Sequence, residues 1–172
     1  MKNFAKFLGI AVIVAVIGFS MAACDDGSKD DNGDGNSTLN GTWVNTAEGI
    51  KIVLNNGAIT MSNDNVEMMK GTYSTSGSNI TVTFTQVKGA MFGEDASEMG
   101  LSASQWYTQQ QLKAAIIQAM VSEGMSQSEA EEEYNDYYAD SSPFGSQTGT
   151  YTLSGNTLTI TFDGSPMVFT RQ

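Results

Sequence analysis

The chain has 172 residues and carries 19 acidic against 8 basic side chains, so its formal net charge is −11. Such a chain lacks the basic face that phosphate groups require, which argues against nucleic acid as a partner. It has no histidine and one cysteine, which excludes an internal disulfide and leaves no imidazole or spare thiolate for a zinc or copper site. The sequence therefore predicts neither a metal nor another cofactor.

The first residues have the pattern of a secretory signal peptide over residues 1–23. Lys2 and Lys6 supply a positive n-region, and an uncharged apolar stretch from Phe7 to Met21 ends in two alanines. This stretch is shorter than the roughly 20 residues that span a bilayer, and an acidic segment follows it, so a cleaved peptide is preferred over a retained transmembrane anchor. Cleavage removes two lysines and no acid, and the net charge then changes from −11 to −13.

The residues Met21-Ala22-Ala23-Cys24 resemble the lipobox of bacterial lipoproteins, with Met21 where leucine is usual. The resemblance implies that the Cys24 thiol takes a diacylglyceryl group and that several acyl chains anchor the protein stably to a membrane. Cys24 is the only cysteine, so no disulfide competes for its thiol. The predicted location is the cell envelope, on a periplasmic or an outer-surface face, with the membrane as the partner reached through lipid on Cys24.

Residues 24–38 predict an acidic flexible tether, because they are rich in Asp, Gly, Asn and Ser and have almost no apolar side chain to bury. Within them, Asp30 to Gly35 matches the first half of a calcium-binding loop. Gly41 stands where that loop needs a bidentate glutamate, so a solvated linker is the preferred interpretation.

An internal repeat organises the predicted folded domain, residues 39–172. Gly71 to Phe84 aligns without a gap on Gly149 to Phe162, and each copy predicts a β-hairpin with a glycine-containing turn. The second strand of each copy alternates apolar residues with threonine, which predicts one face in the core and one in water. The predicted core residues of these two strands are Ile80, Val82, Phe84, Leu158, Ile160 and Phe162.

The other strand patterns complete a set of about eight. They lie at Gly41–Asn45, Ile50–Leu54, Ala58–Ser62, Val66–Thr75 and Met167–Arg171. Short turns between consecutive strands predict an antiparallel up-and-down meander, and such a meander removes its open edges by closing into a barrel. The predicted fold is therefore mainly β, an antiparallel barrel, although a two-sheet sandwich fits the same strand pattern.

Gly41-Thr42-Trp43 in the first strand and Arg171 in the last resemble the Gly-x-Trp motif and late arginine of the lipocalins and related calycins. The resemblance implies a lipocalin-like barrel in which the Arg171 guanidinium packs across the Trp43 indole near the closed end, a cation–π contact joining the first strand to the last. The chain departs from that family because it lacks the helix after the last strand and contains a long insertion.

The insertion, about residues 89–146 between strands five and six, changes from a strand period to a helical one. Ser102 to Gln105 fits a capping box, with Leu101 and Trp106 as its hydrophobic staple, and an apolar stripe follows. Ser126 to Glu129 predicts the start of a second helix. The resulting helical hairpin either forms a lid over a barrel mouth or covers a sheet edge. The stripe consists of Leu112, Ala115, Ile116, Ala119 and Met120.

Two functions remain on these residues, and the family resemblance favours the first, with the second as the alternative. A carrier or sensor would bind a small apolar ligand inside the barrel, whereas an interaction module would have a filled barrel and contact other envelope or surface proteins through its outer face. An enzyme is not predicted, because histidine, Gly-x-Ser-x-Gly and phosphate-loop patterns are absent. The candidate cavity or core lining is Trp43, Tyr73, Ile80, Val82, Phe84, Tyr151, Leu158, Ile160 and Phe162.

Overall fold

The computed structural model describes residues 38–138 and 142–172. The predicted signal peptide, Cys24, the calcium-loop half-motif and nearly all of the predicted tether therefore lie outside the described residues. The described residues belong to one compact unit, and every member of its barrel core lies between Leu39 and Phe169. Within the described ranges, no helix is both long enough and apolar enough to span a membrane.

Eight antiparallel strands close into a barrel, which confirms the predicted fold and rejects the sandwich alternative. The chain runs up and down around it, so that β1 pairs with β2 on one side and with β9 on the other, while β4 pairs with β5 to complete the closure. A ninth strand of two residues, β6, pairs only with the end of β5. The strands are β1 (Gly41–Asn45), β2 (Ile50–Asn55), β3 (Ala58–Asn63), β4 (Val66–Ser76), β5 (Asn79–Lys88), β6 (Trp106–Tyr107), β7 (Gly145–Ser154), β8 (Thr157–Phe162) and β9 (Ser165–Arg171).

Five two-residue turns hold the hairpins in register. Asn56–Gly57, Asp64–Asn65 and Asp163–Gly164 each have positive φ at both central residues, as a type I′ turn requires. In the two repeat hairpins only the first central residue, Gly77 or Gly155, has positive φ, the pattern of a type II′ turn. Since both turn types twist as the flanking strands do, these short loops favour continuous strand pairing around the barrel.

The first glycine of each repeat is required by a close approach between strands. A Cβ on Gly71 would lie 1.9 Å from the Thr83 carbonyl oxygen, and one on Gly149 would lie 2.1 Å from the Thr161 carbonyl oxygen. Thr83 and Thr161 occupy equivalent places in the two copies. The internal repeat therefore preserves the same backbone contact twice, in addition to the hairpin pattern.

The barrel core consists of inward-facing side chains that pack against one another. Alternation places them on one face of each strand, while threonines, serines and lysines occupy much of the other. All eleven are buried, with exposed fractions of 4% or less. They are Leu39, Trp43, Ile52, Leu54, Ile59, Tyr73, Ile80, Val82, Leu158, Ile160 and Phe169.

The insertion between β5 and β7 contains a 3-10 segment (Gly89–Ala96), β6, and a hairpin of two helices, α1 (Gln109–Ser122) and α2 (Gln127–Tyr137). The predicted helix start at Ser102 is wrong. The first helix instead begins after Thr108, whose side chain and that of Gln111 form the capping box. The capping box predicted at Ser126 and Glu129 is confirmed.

The insertion has a buried core of its own. Leu112, Ile116 and Met120 of the predicted stripe are buried, and Ala115 and Ala119 are half-buried. None of the insertion's buried side chains belongs to the barrel core cluster. Since β5 pairs directly with β7, the barrel closes without help from the insertion. The buried hydrophobic residues outside the barrel core are Val87, Ala96, Met99, Leu101, Tyr107, Leu112, Ile116, Ile117, Met120, Ala130 and Tyr134.

Candidate functional site

One end of the barrel is closed around Trp43. Trp43 is fully buried and is the cross-strand partner of Arg171, whose guanidinium carbon lies 4.4 Å from the indole centroid. The indole Nε1 donates a hydrogen bond of 2.8 Å to the Leu39 carbonyl oxygen. The arrangement gives the cation a ring face and gives the buried indole an acceptor, so both polar groups are satisfied.

The Arg171 guanidinium also fixes the segment that precedes β1. Its Nη2 donates to the Thr38 carbonyl oxygen at 2.9 Å, and its Nη1 donates to the Asn40 carbonyl oxygen at 3.3 Å. Leu39, between these two acceptors, is fully buried in the core. Arginine suits this position because its planar fork can donate to two oxygens while its face stacks on a ring.

Asn40 completes the closed end and was not singled out from the sequence. Its Oδ1 accepts hydrogen bonds from the Tyr73 hydroxyl at 3.0 Å and from the Asn56 backbone N–H at 2.8 Å, and its Nδ2 donates to Asn56 Oδ1 at 2.9 Å. Burial raises the pKa of Tyr73 above its usual value of 10.0, which extends the pH range over which its hydroxyl is a donor. No local pattern marks Asn40, since its partners are distant in the chain.

The predicted lining residues divide into two groups. Six of them lie in the buried core, together with side chains from β2, β3 and β9. The other three, Phe84, Tyr151 and Phe162, are partly buried and pack against that core. The side chains nearest the closed end therefore fill the barrel interior. The six in the core are Trp43, Tyr73, Ile80, Val82, Leu158 and Ile160.

The other end, which we call the mouth, has inward-facing apolar side chains that are only partly buried. Ile50, Phe84, Phe162 and Met167 lie farther from Arg171 along their strands than their buried neighbours do, and they share the inward face of those neighbours. The mouth is thus an apolar surface with partial access to water.

Two open depressions, of about 400 and 420 Å³, lie on or beside the insertion. Neither is lined by any of the eleven core side chains, so neither opens into the filled part of the barrel. The first lies along the helices, and the second lies between β5, the start of α1 and the residues before β7. Their linings are Gln110, Lys113, Ala114, Ile117, Gln118 and Gln127 for the first, and Thr83, Phe84, Thr85, Thr108, Gln109, Gln110, Phe144 and Gly145 for the second.

Three titratable groups in the described part of the insertion have shifted pKa values. Tyr134 and Tyr138 stack with ring centroids 5.7 Å apart, and burial raises the pKa of both hydroxyls. Hydrogen bonds from Ser126 lower the pKa of Glu129, as expected for a carboxylate in a capping box. Across residues 38–138 and 142–172, no three acidic, cysteine or histidine side chains are grouped to hold a metal ion.

Comparison with known proteins gives one structural similarity. No protein-family model matches the chain. No curated protein matches it either. Its fold is similar to the crystal structure of an uncharacterized protein from Bacteroides eggerthii, with 13% sequence identity and a TM-score of 0.39, covering 77% of this chain and 98% of that one.

Proposed function

We propose that this chain is a lipid-anchored lipoprotein of the bacterial cell envelope whose lipocalin-like barrel acts as an interaction module with a filled interior. The observation that carries the proposal is the core itself, in which eleven interior side chains are no more than 4% exposed. The stacking of Arg171 on Trp43 supports the lipocalin-like assignment. No catalytic role is assigned, because the chain has no histidine and its single cysteine is committed to lipid.

The filled interior favours a module over a carrier for a geometric reason. A pocket that encloses a small molecule occupies about 300–1,000 Å³ and buries most of the ligand surface. Here Trp43, Tyr73 and Phe169 are among the side chains that occupy the corresponding space, each 3% exposed or less. A ligand could enter the closed half of the barrel only by displacing them, and burying such aromatic side chains is a main source of core stability.

Native mass spectrometry of the protein purified from its own membrane tests the module directly. We expect the mass of the lipidated polypeptide with no further small molecule. A small molecule that co-purifies in stoichiometric amount would contradict the filled-barrel proposal.

The anchor is proposed from the sequence of residues 1–24, with Cys24 as the acceptor of lipid. We expect cells expressing the chain to incorporate radiolabelled palmitate into it, and a Cys24→Ser variant to incorporate none. Membrane fractions of the same cells would then show where the protein resides. Label that persists in the Cys24→Ser variant would disprove lipidation at this residue.

A second candidate function, binding of a small apolar ligand, is favoured by the partly exposed mouth. Phe162 is an inward-facing side chain there, whereas Val168 on the neighbouring strand is 52% exposed. If the mouth binds such a ligand, a fluorescent fatty-acid probe should bind saturably, Phe162→Ala should weaken it, and Val168→Ala should not. Absence of saturable binding to the unmodified protein would eliminate the carrier.

A further inference from the structure

Trp106 lies on the outer wall of the barrel between two lysines. The Nζ atoms of Lys70 and Lys88 are 4.1 and 5.6 Å from the centroid of its ring system. Pairing of β6 with the end of β5 sets Trp106 opposite Lys88 and fixes this position. Trp106 is half-buried, so part of the indole remains accessible to water.

Lys51 extends the same outer surface. It follows the inward-facing Ile50 and precedes the buried Ile52, so its own side chain points outward from β2. We call Lys51, Lys70, Lys88 and Trp106 the lysine–tryptophan surface. It contains three of the four lysines in the described ranges, although the chain as a whole has a net charge of −11.

The lysine–tryptophan surface includes one ion pair. A Glu67 oxygen lies 3.6 Å from the Lys70 Nζ. In the described part of the chain, the Trp106 indole N–H makes no hydrogen bond and Lys88 makes no salt bridge. Lysine ammonium groups carry only donors, so the partner that matches this surface is an anion.

We propose that the lysine–tryptophan surface docks on the anionic phospholipid surface of the membrane to which Cys24 tethers the chain. Tryptophan and lysine are the side chains that sit at the boundary between headgroups and hydrocarbon, because each has an apolar body and a polar end. The inference rests on the proposed anchor for one reason only. A tether raises the effective concentration of lipid near the barrel, so a contact that is measurable with free vesicles becomes stronger in the anchored protein.

The tether is long enough for this contact. The roughly fourteen residues from Cys24 to Thr38, if fully extended, would span up to about 48 Å. The longest strand, β4, has eleven residues and measures about 37 Å.

The test uses the mature chain, residues 24–172 without lipid, and two kinds of vesicle, one of pure phosphatidylcholine and one containing phosphatidylglycerol. We expect binding to the anionic vesicles that is stronger than to the neutral ones and decreases with salt. Lys70→Gln and Lys88→Gln should each lower the affinity about fivefold, since one lysine near an anionic surface contributes about 1 kcal/mol. Lys113→Gln, on α1, is the matched control and should leave it unchanged.

Intrinsic fluorescence supplies a second readout, because the chain has two tryptophans and Trp43 is fully buried. We expect anionic vesicles to shift the emission to shorter wavelength, and the shift to disappear in Trp106→Phe. Equal binding to both kinds of vesicle, or an unchanged affinity in both lysine variants, would overturn the proposal. Tighter binding to a soluble sulfated polysaccharide than to vesicles would also overturn it. These outcomes are independent of Cys24, so they are distinct from failure of the palmitate experiment.

Discussion

Replacing Gly149 by alanine tests the reading of the repeat as a pair of close strand contacts. An ideal Cβ at Gly149 would lie 2.1 Å from the Thr161 carbonyl oxygen and 2.7 Å from the Phe162 Cδ1. Cβ atoms in proteins almost never approach other atoms within 3.0 Å, so the Thr161 carbonyl would have to move by about 0.9 Å. That carbonyl belongs to the backbone of β8, which is paired on both sides.

The expected cost follows from the rigidity of that neighbour. Overpacking typically destabilises a protein by about 1–3 kcal/mol, and the upper end applies here because a paired strand has to shift. We therefore expect Gly149→Ala to lower the free energy of unfolding by about 3 kcal/mol. Gly164→Ala is the matched control. Its φ of +78° imposes strain, but no atom lies within 4 Å of its Cβ, so about 1 kcal/mol is expected.

Urea unfolding of residues 33–172, followed by tryptophan fluorescence, measures both variants. The dependence of unfolding free energy on urea should have the same slope in both, since neither change alters the surface exposed on unfolding. If Gly149→Ala were no more destabilising than Gly164→Ala, the close contact would not explain why glycine begins each copy of the repeat.

Three further changes probe the closed end and the core. Arg171→Met should lower the unfolding free energy by about 2 kcal/mol in urea titrations, because it removes two hydrogen bonds from a charged group and the contact with the indole; an unchanged midpoint would contradict the closing role. Phe169→Ala should lower the unfolding free energy by about 3–5 kcal/mol, because its side chain is buried, whereas Val168→Ala at the exposed neighbour should lower it by less than about 0.5 kcal/mol. Similar urea midpoints for the two variants would refute the assigned core face. The raised pKa means that the folded state binds the Tyr73 proton more tightly than the unfolded state does. The Tyr73 hydroxyl therefore contributes to folding stability fully below pH 10.0, and this contribution is lost as the pH rises through the raised pKa. Tyr73→Phe should therefore weaken the fall in thermal midpoint at alkaline pH, and an identical pH profile would count against burial as the cause.

The strands were predictable because their signals are local. Alternation of apolar residues and threonine marks β5 and β8, and Asn56–Gly57 and Asp163–Gly164 have turn residues that tolerate positive φ. Closure into a barrel then follows, since a meander of this length has two edges to pair.

The start of the first helix was not predictable from local pattern alone. Ser102 with Gln105 and Thr108 with Gln111 both fit a capping box, and the two candidates are six residues apart. Pairing of Trp106–Tyr107 with the end of β5 decides between them, because these residues cannot be strand and helix at once. That pairing joins residues far apart in the chain, and the same long-range contact gives Trp106 its lysine neighbours.

The state of the barrel interior also required the structure. Large apolar side chains line cavities and fill cores equally well, so residues such as Ile80 and Leu158 were compatible with a carrier and with a module. Whether the interior holds a cavity depends on how closely side chains from opposing strands pack against one another. That packing is a property of the closed barrel and cannot be read from any one strand.

The direct pairing of β5 with β7 makes the helical insertion, in topological terms, a single very long hairpin loop. Closing a loop of nearly 60 residues instead of 2 costs only about 3 kcal/mol in chain entropy, because the cost grows with the logarithm of length. With its own buried side chains, the insertion could open and reclose while the barrel stays intact. Amide hydrogen exchange would then show lower protection in the insertion than in the barrel strands. A different insertion could replace this one without a change in the barrel core.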